Sequence, residues 1–257
     1  MTREPRVSPE VLEALGLGPA WVLRQGTAPA TAVAAGAAVA GPSATLIAEP
    51  EGDEGALRVR AGAIAAMDWP SLEEAVSSCN ACALARTRTR TVFGVGDRAA
   101  RWLFVGEGPG AEEDARGEPF VGKAGQLLDA MLAAIGLRRG QGVFIANVVK
   151  CRPPGNRNPA PEETACCMPF LQRQVELIRP RLIVALGKVA AVTLLGQEVA
   201  VAALRGRIHE YRGIPLLVTY HPAYLLRNLP DKAKAWEDLC LARDTMARIE
   251  AGNLHDG

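Results

Sequence analysis

Trp102-Leu-Phe-Val-Gly-Glu-Gly-Pro-Gly110 decides how the chain folds: an apolar run of strand length passes without a break into a turn of three glycines and a proline. A run with no polar alternation is buried on both faces, which is the habit of strands in parallel sheets. Helical spacing follows, with Ala124, Leu127, Leu128, Met131, Leu132 and Ile135 along one face and Gly136 as the stop. The same alternation recurs downstream. Val143 to Val148, Leu182 to Leu186 and Leu216 to Thr219 read as buried strands, and Pro161 to Ile178, Lys188 to Leu195 and Asp231 to Ile249 as helices. The expected class is therefore α/β, a three-layer α/β/α sandwich around a central four-stranded parallel sheet. Open sheets of this kind bind ligands beyond the carboxyl ends of their strands.

Those ends carry unusual residues: Gly106-Glu-Gly-Pro-Gly110, then Asn147, then Gly187-Lys188, then His221-Pro222. Each alone has an ordinary use, as a tight turn or a cap. Together on successive strands they predict a pocket furnished with carboxylate, amide and imidazole groups.

Cys79, Cys82, Cys151, Cys166, Cys167 and Cys240 do not suit a secreted disulfide framework, because the chain is long and starts with the mixed-charge MTREPRVSPE rather than an export signal. Clustered thiols in a reducing compartment point to metal. Cys79-x-x-Cys82 near the start of the compact region, with Cys151 and the Cys166-Cys167 pair flanking one loop, can make a tetrathiolate site for a [4Fe-4S] cluster or for zinc. Neighbouring helical residues diverge by about 100°, so only one of Cys166 and Cys167 is expected to ligate. Cys240 reads as a small hydrophobe.

The 257 residues are 49% apolar and 22% charged, enough for a full core, with a net charge of +1. That neutrality hides an asymmetry: residues 1–78 hold 5 Lys+Arg and 10 Asp+Glu, against 24 and 18 from residue 79 onward. The basic part is the one expected to meet a polyanion. Residues 1–67 read as a mobile Ala/Pro/Gly-rich extension with a short helix over 8–16, residues 68–250 as the compact domain, and 251–257 as a tail. Gly26 to Ala48 lacks charge but is mostly Ala, Gly, Thr and Pro, so no membrane span is expected. Ser71-Leu-Glu-Glu74 offers a capping box for the first helix of the domain. Arg86, Arg88 and Arg90 alternate with threonines, and an extended segment would put all three on one face.

Cys79-Asn-Ala-Cys82, Gly106-Glu-Gly-Pro-Gly110, Glu112-Glu-Asp114, Pro119-Phe-Val-Gly122, Asn147-Val-Val-Lys-Cys-Arg-Pro-Pro154, Arg207-Ile-His-Glu and His221-Pro-Ala-Tyr-Leu-Leu-Arg227 together resemble the family 4, iron-sulfur uracil-DNA glycosylases. The resemblance spans about residue 70 to residue 245 and leaves residues 1–66 outside. It implies a monomeric base-excision-repair enzyme that flips uracil out of DNA, hydrolyses its N-glycosidic bond and carries a [4Fe-4S] cluster. The reduced thiols read as cytoplasmic, and with no lysine at a strand end beside the His-Pro loop the enzyme reads as monofunctional, Lys188 and Lys123 being the alternative lyase nucleophiles. By resemblance Cys79, Cys82, Cys151 and Cys167 are its ligands; Met168-Pro-Phe-Leu171 follows the family pattern after the last cysteine and so favours Cys167 over Cys166. It further implies Phe120 as the ring stacked on the base, Gly108, Glu113, Asn147 and His221 as uracil contacts, and Glu107 and His221 as the catalytic pair. Asn147 suits its role physically, since an amide donates to O4 and accepts from N3-H of uracil at once and mismatches cytosine. Arg86, Arg88 and Arg227 are expected on DNA, with Leu225 or Leu226 wedged into the vacated stack. Two other readings are a metal-stabilised nucleic-acid-binding module without catalysis, and a superfamily member with altered base specificity or covalent DNA attachment.

Overall fold

A computed structural model describes residues 51–252. The helix expected over 8–16, the linker up to residue 50 and the last five residues lie outside the described residues. The helices are α1 (Glu51–Ala65), α2 (Trp69–Ser77), α3 (Ala111–Arg116), α4 (Lys123–Ala134), α5 (Pro161–Ile178), α6 (Lys188–Leu195), α7 (Val201–Leu204), α8 (Pro222–Leu225) and α9 (Asp231–Glu250). The strands are β1 (Val95–Gly96), β2 (Trp102–Gly106), β3 (Val143–Asn147), β4 (Leu182–Leu186), β5 (Ile208–Tyr211) and β6 (Ile214–Thr219).

They form one sheet in the order β1-β3-β2-β4-β6-β5. The α/β class is as expected, but the sheet is mixed and six-stranded. Parallel pairing runs from β3 through β2 and β4 to β6. Antiparallel β1 and β5 border it. β5 and β6 are joined by a two-residue turn, with Arg212 at φ 51° and Gly213 at φ 79°, the left-handed pair whose twist matches a hairpin. β1 is only two residues long, too short for a sequence pattern.

β2, β3 and β4 are buried at every position, so helices cover both faces as the apolar runs require. The chain leaves β2 for β3 on one side and returns to β4 on the other. The carboxyl end of β2 is thus where connections diverge and a crevice opens.

Two boundaries differ from expectation. Asp68 Oδ1 accepts from the Ser71 amide at 3.0 Å, so α2 begins at Trp69, ahead of the Ser71 box. α1 occupies sequence read as linker: Leu57, Arg60, Ala61 and Ile64 recur every three to four residues and α1 packs against α5, with Ile64 in the core. The compact unit therefore begins at α1 rather than at Asp68. No described helix is long and apolar enough to cross a membrane.

Candidate active site and cysteine cavity

A cavity of about 520 Å³ lies at the carboxyl ends of β2, β3 and β6 and is lined by Glu107, Phe120, Asn147 and His221, with Gly108, Glu113, Lys188 and Arg227 among its walls. Hydrogen bonding continues past the strands, Val148 N to Gly106 O at 2.9 Å and Val149 N to Glu107 O at 3.1 Å, which locks the glycine turn to the segment after Asn147. Asn147 ends β3 and is 2% exposed, and its Oδ1 has no hydrogen-bond partner. A buried acceptor left open is rare and marks a place where a partner is received. Burial raises the Glu107 carboxyl above its ordinary value.

Phe120 stands in the left-handed region at φ 55°, a strained conformation for a bulky side chain. Its surroundings over-determine it. Gly125 in α4 lies so close that an added Cβ would sit 1.8 Å from the Phe120 carbonyl oxygen. Arg139 donates from Nη1 to Pro119 O and from Nη2 to Phe120 O, both at 2.8 Å. Glu113 accepts from the amides of Gly110 at 3.1 Å, Val121 at 3.0 Å and Gly122 at 3.2 Å. Glu113, expected as a direct base contact, thus has both oxygens engaged as a brace across the Phe120 loop. The Phe120 ring faces His221 with centroids 5.5 Å apart.

His221 caps α8, its Nδ1 accepting from the Ala223 amide at 3.1 Å. Burial, helped by the Arg227 charge, pushes its pKa down to about 4. The ring is therefore neutral at physiological pH, and with Nδ1 occupied as acceptor the proton is on Nε2. Gly187, at φ 88°, leaves room for it, since a Cβ there would be 2.8 Å from His221 Cβ. Behind the loop, Thr219 donates to the buried Asp238 carboxylate at 2.8 Å, and Arg205 lies 3.0 Å from the same group. Of the two wedge residues, Leu225 is 1% exposed and packs in the core, whereas Leu226 is 41% exposed beside Arg227. Leu225 is accordingly removed from the DNA-facing set.

A second cavity is lined by Cys79, Cys82, Cys151, Cys166 and Cys167 together with apolar Val76, Leu84 and Phe170. N-H donors meet three of the sulfurs: Lys150 N to Cys167 at 3.2 Å, Arg88 Nη1 to Cys151 at 3.2 Å and Arg60 Nη2 to Cys79 at 3.5 Å. Cys166 donates instead to Ala81 O at 3.7 Å. Burial pushes the Cys167 thiol up to about 12 and raises Cys151 as well. Thiolates here need positive company: the Arg88 and Arg60 guanidiniums supply it by hydrogen bond and the Lys150 ammonium by its charge. No three Cys, His, Asp or Glu side chains among the described residues converge closely enough to hold a single metal ion, although five cysteines border one space.

Arg88, expected on DNA, is committed to Cys151 and to Ser77 O at 3.3 Å. The Arg-Thr stretch is not extended either: Ala83–Arg86 is a 3-10 turn, and Asp114 accepts from the amides of Thr89 and Arg90. Arg86 is exposed. Lys150, 1% exposed, sits between the two cavities: Nζ donates to Asn147 O at 2.8 Å and Gln174 Oε1 at 2.7 Å. Sequence reasoning missed Lys150, Arg139, Arg60 and Asp238; each acts on a partner distant in sequence or hidden behind a motif, with no periodicity to betray it.

The profile of the uracil DNA glycosylase superfamily matches residues 93–240. A type-4 uracil-DNA glycosylase of Thermotoga maritima is 50% identical over 159 residues, 61% of this chain and 82% of the relative. The type-4 uracil-DNA glycosylase of Archaeoglobus fulgidus is 46% identical over 159 residues, 59% and 79% of the two chains. A type-5 uracil-DNA glycosylase of Pyrobaculum aerophilum is 36% identical over 147 residues, 51% of this chain and 64% of its own. The chain belongs to the uracil DNA glycosylase superfamily.

Proposed function

We propose, from that membership and from the pocket, that the chain is a monofunctional type-4 uracil-DNA glycosylase acting in base excision repair. The observation that carries the reading is one pocket uniting Asn147, with its unpartnered Oδ1, Phe120, neutral His221 and Glu107.

The base must leave the stack before either its Watson-Crick edge or its glycosidic bond can be reached. In the pocket Asn147 Oδ1 accepts from uracil N3-H while its amide nitrogen donates to O4, which cytosine cannot satisfy. Phe120 gives the base a π face worth about 1–3 kcal/mol. As the C1′-N1 bond breaks, its electron pair moves onto the base, and a neutral His221 donating from Nε2 stabilises the charge at O2 without forming a cation. Such a preorganised donor is worth about 2.7–4 kcal/mol of barrier. The sugar becomes cationic and is met by water. Glu107 stabilises that cation and orients the water, whose oxygen bonds to C1′ and whose proton is released. Leu226 fills the vacated stack, while Arg227 and Arg86 engage phosphates.

Cys79, Cys82, Cys151 and Cys167 would hold a [4Fe-4S] cluster, which suits thiolates bordering one space whose lining includes no histidine. When bound it supplies a covalent tie between the α2 region and the loop from Cys151 to Cys167, part of which walls the pocket.

The test is incubation with uracil-containing and normal oligonucleotides followed by alkaline cleavage of abasic sites. Strand breaks confined to the uracil position are expected; breaks in both substrates or in neither defeat the reading.

A further inference from the structure

α1 precedes the segment matched by the superfamily profile, which begins at residue 93, yet it reaches the cysteine cavity. Its inward face is Leu57, Arg60, Ala61 and Ile64. An arginine in an apolar stripe needs a reason, and its contacts give one. Arg60 Nη2 donates to Cys79 Sγ at 3.5 Å, Nη1 donates to the Cys166 carbonyl at 2.6 Å, and the guanidinium lies 4.8 Å from the Phe170 ring centroid. One planar fork therefore bridges the Cys79 side of the cavity to α5, which carries Cys167. Cation-π contact and two hydrogen bonds hold it in register.

We propose that Arg60 is a positioning residue for the iron-sulfur cluster, and that α1 serves as a cap which retains the cluster and raises its reduction potential. The inference rests on Cys79 being a cluster ligand. A cluster held by four thiolates is net negative, and a charge-assisted N-H donated to a ligand sulfur both weakens release of that thiolate and favours the more negative, reduced state. Arg88 makes a similar contact with Cys151, and Lys150 reaches Cys167 through its backbone amide, but Arg60 alone of the three comes from an element preceding the cysteines.

The experiment uses full-length protein carrying Arg60→Gln, with Val59→Ala, on the exposed face of the same helix, as control. Iron content and visible absorbance of the wild type come first: absence of iron defeats the cluster reading itself, independently of Arg60. With iron present, anaerobic bleaching by a ferrous-iron chelator should run roughly tenfold faster in R60Q than in wild type or V59A, the size of one charged hydrogen bond. Voltammetry of DNA-free protein should place the R60Q potential below that of wild type. Circular dichroism reports whether the variant is folded. A folded R60Q protein whose bleaching rate and potential match the wild type overturns the proposal.

Discussion

The pocket and the cysteine cavity share a wall, the stretch from Asn147 to Cys167, yet they treat polar atoms in opposite ways. In the pocket Asn147 Oδ1 is buried without a partner and Phe120 is held in a strained backbone conformation. In the cysteine cavity three sulfurs already face N-H donors. A site that must bind, react and release keeps its groups waiting, whereas a site for a resident group satisfies its donors from the start. Pocket substitutions should therefore cost rate, cavity substitutions should cost stability, and residues in the shared wall should cost both.

The largest effect is expected for His221→Ala, which removes the donor at O2 and should slow uracil excision by about 10²–10³-fold while melting changes little. Single-turnover rates beside a melting curve check it; a large drop in melting with an unchanged rate would break the division. Lys150→Met strips the buried donor from Asn147 O and Gln174 Oε1, a loss of about 1–3 kcal/mol. Its melting point should fall by about 2–4 °C per kcal/mol, and excision should weaken with it because Asn147 loses its backbone anchor. A fall in only one of the two readouts would mean that the wall is not shared. Gly125→Ala forces the Phe120 loop to move, at about 1–3 kcal/mol, and should raise KM for DNA by loosening the stacking ring.

The smallest effect concerns acid. His221 titrates at about 4 in the folded chain against an ordinary 6.5. Its hydrogen-bonding form is unchanged from neutrality down to about pH 5, and the rate profile should show no inflection near 6.5. Between 6.5 and 4 the unfolded chain binds a proton that the folded chain refuses, so stability falls with acid over that window. His221→Phe should flatten that part of the stability curve; an unaltered slope would locate the acid sensitivity elsewhere.

How much of this was legible beforehand follows from what each element depends on. The bounds of β4, Leu182 to Leu186, and of α5, Pro161 to Ile178, are legible in the sequence because apolar runs and helical spacing are local signals. β5 escaped because its only clear mark is the Arg212-Gly213 turn, and α1 because its inward stripe includes an arginine. The pocket residues could be named because they cluster at strand ends. The devices that hold them could not: Arg139 reaches back to Phe120, and Arg88 turns from solvent to a sulfur, through contacts that no spacing encodes.

Lys150 acts as a ruler. Its backbone nitrogen holds Cys167 while its side chain holds the carbonyl of Asn147, three residues earlier. The interval from Asn147 to Cys151 therefore has a fixed length, and one residue added or removed there would pull the base-reading amide out of step with the thiols.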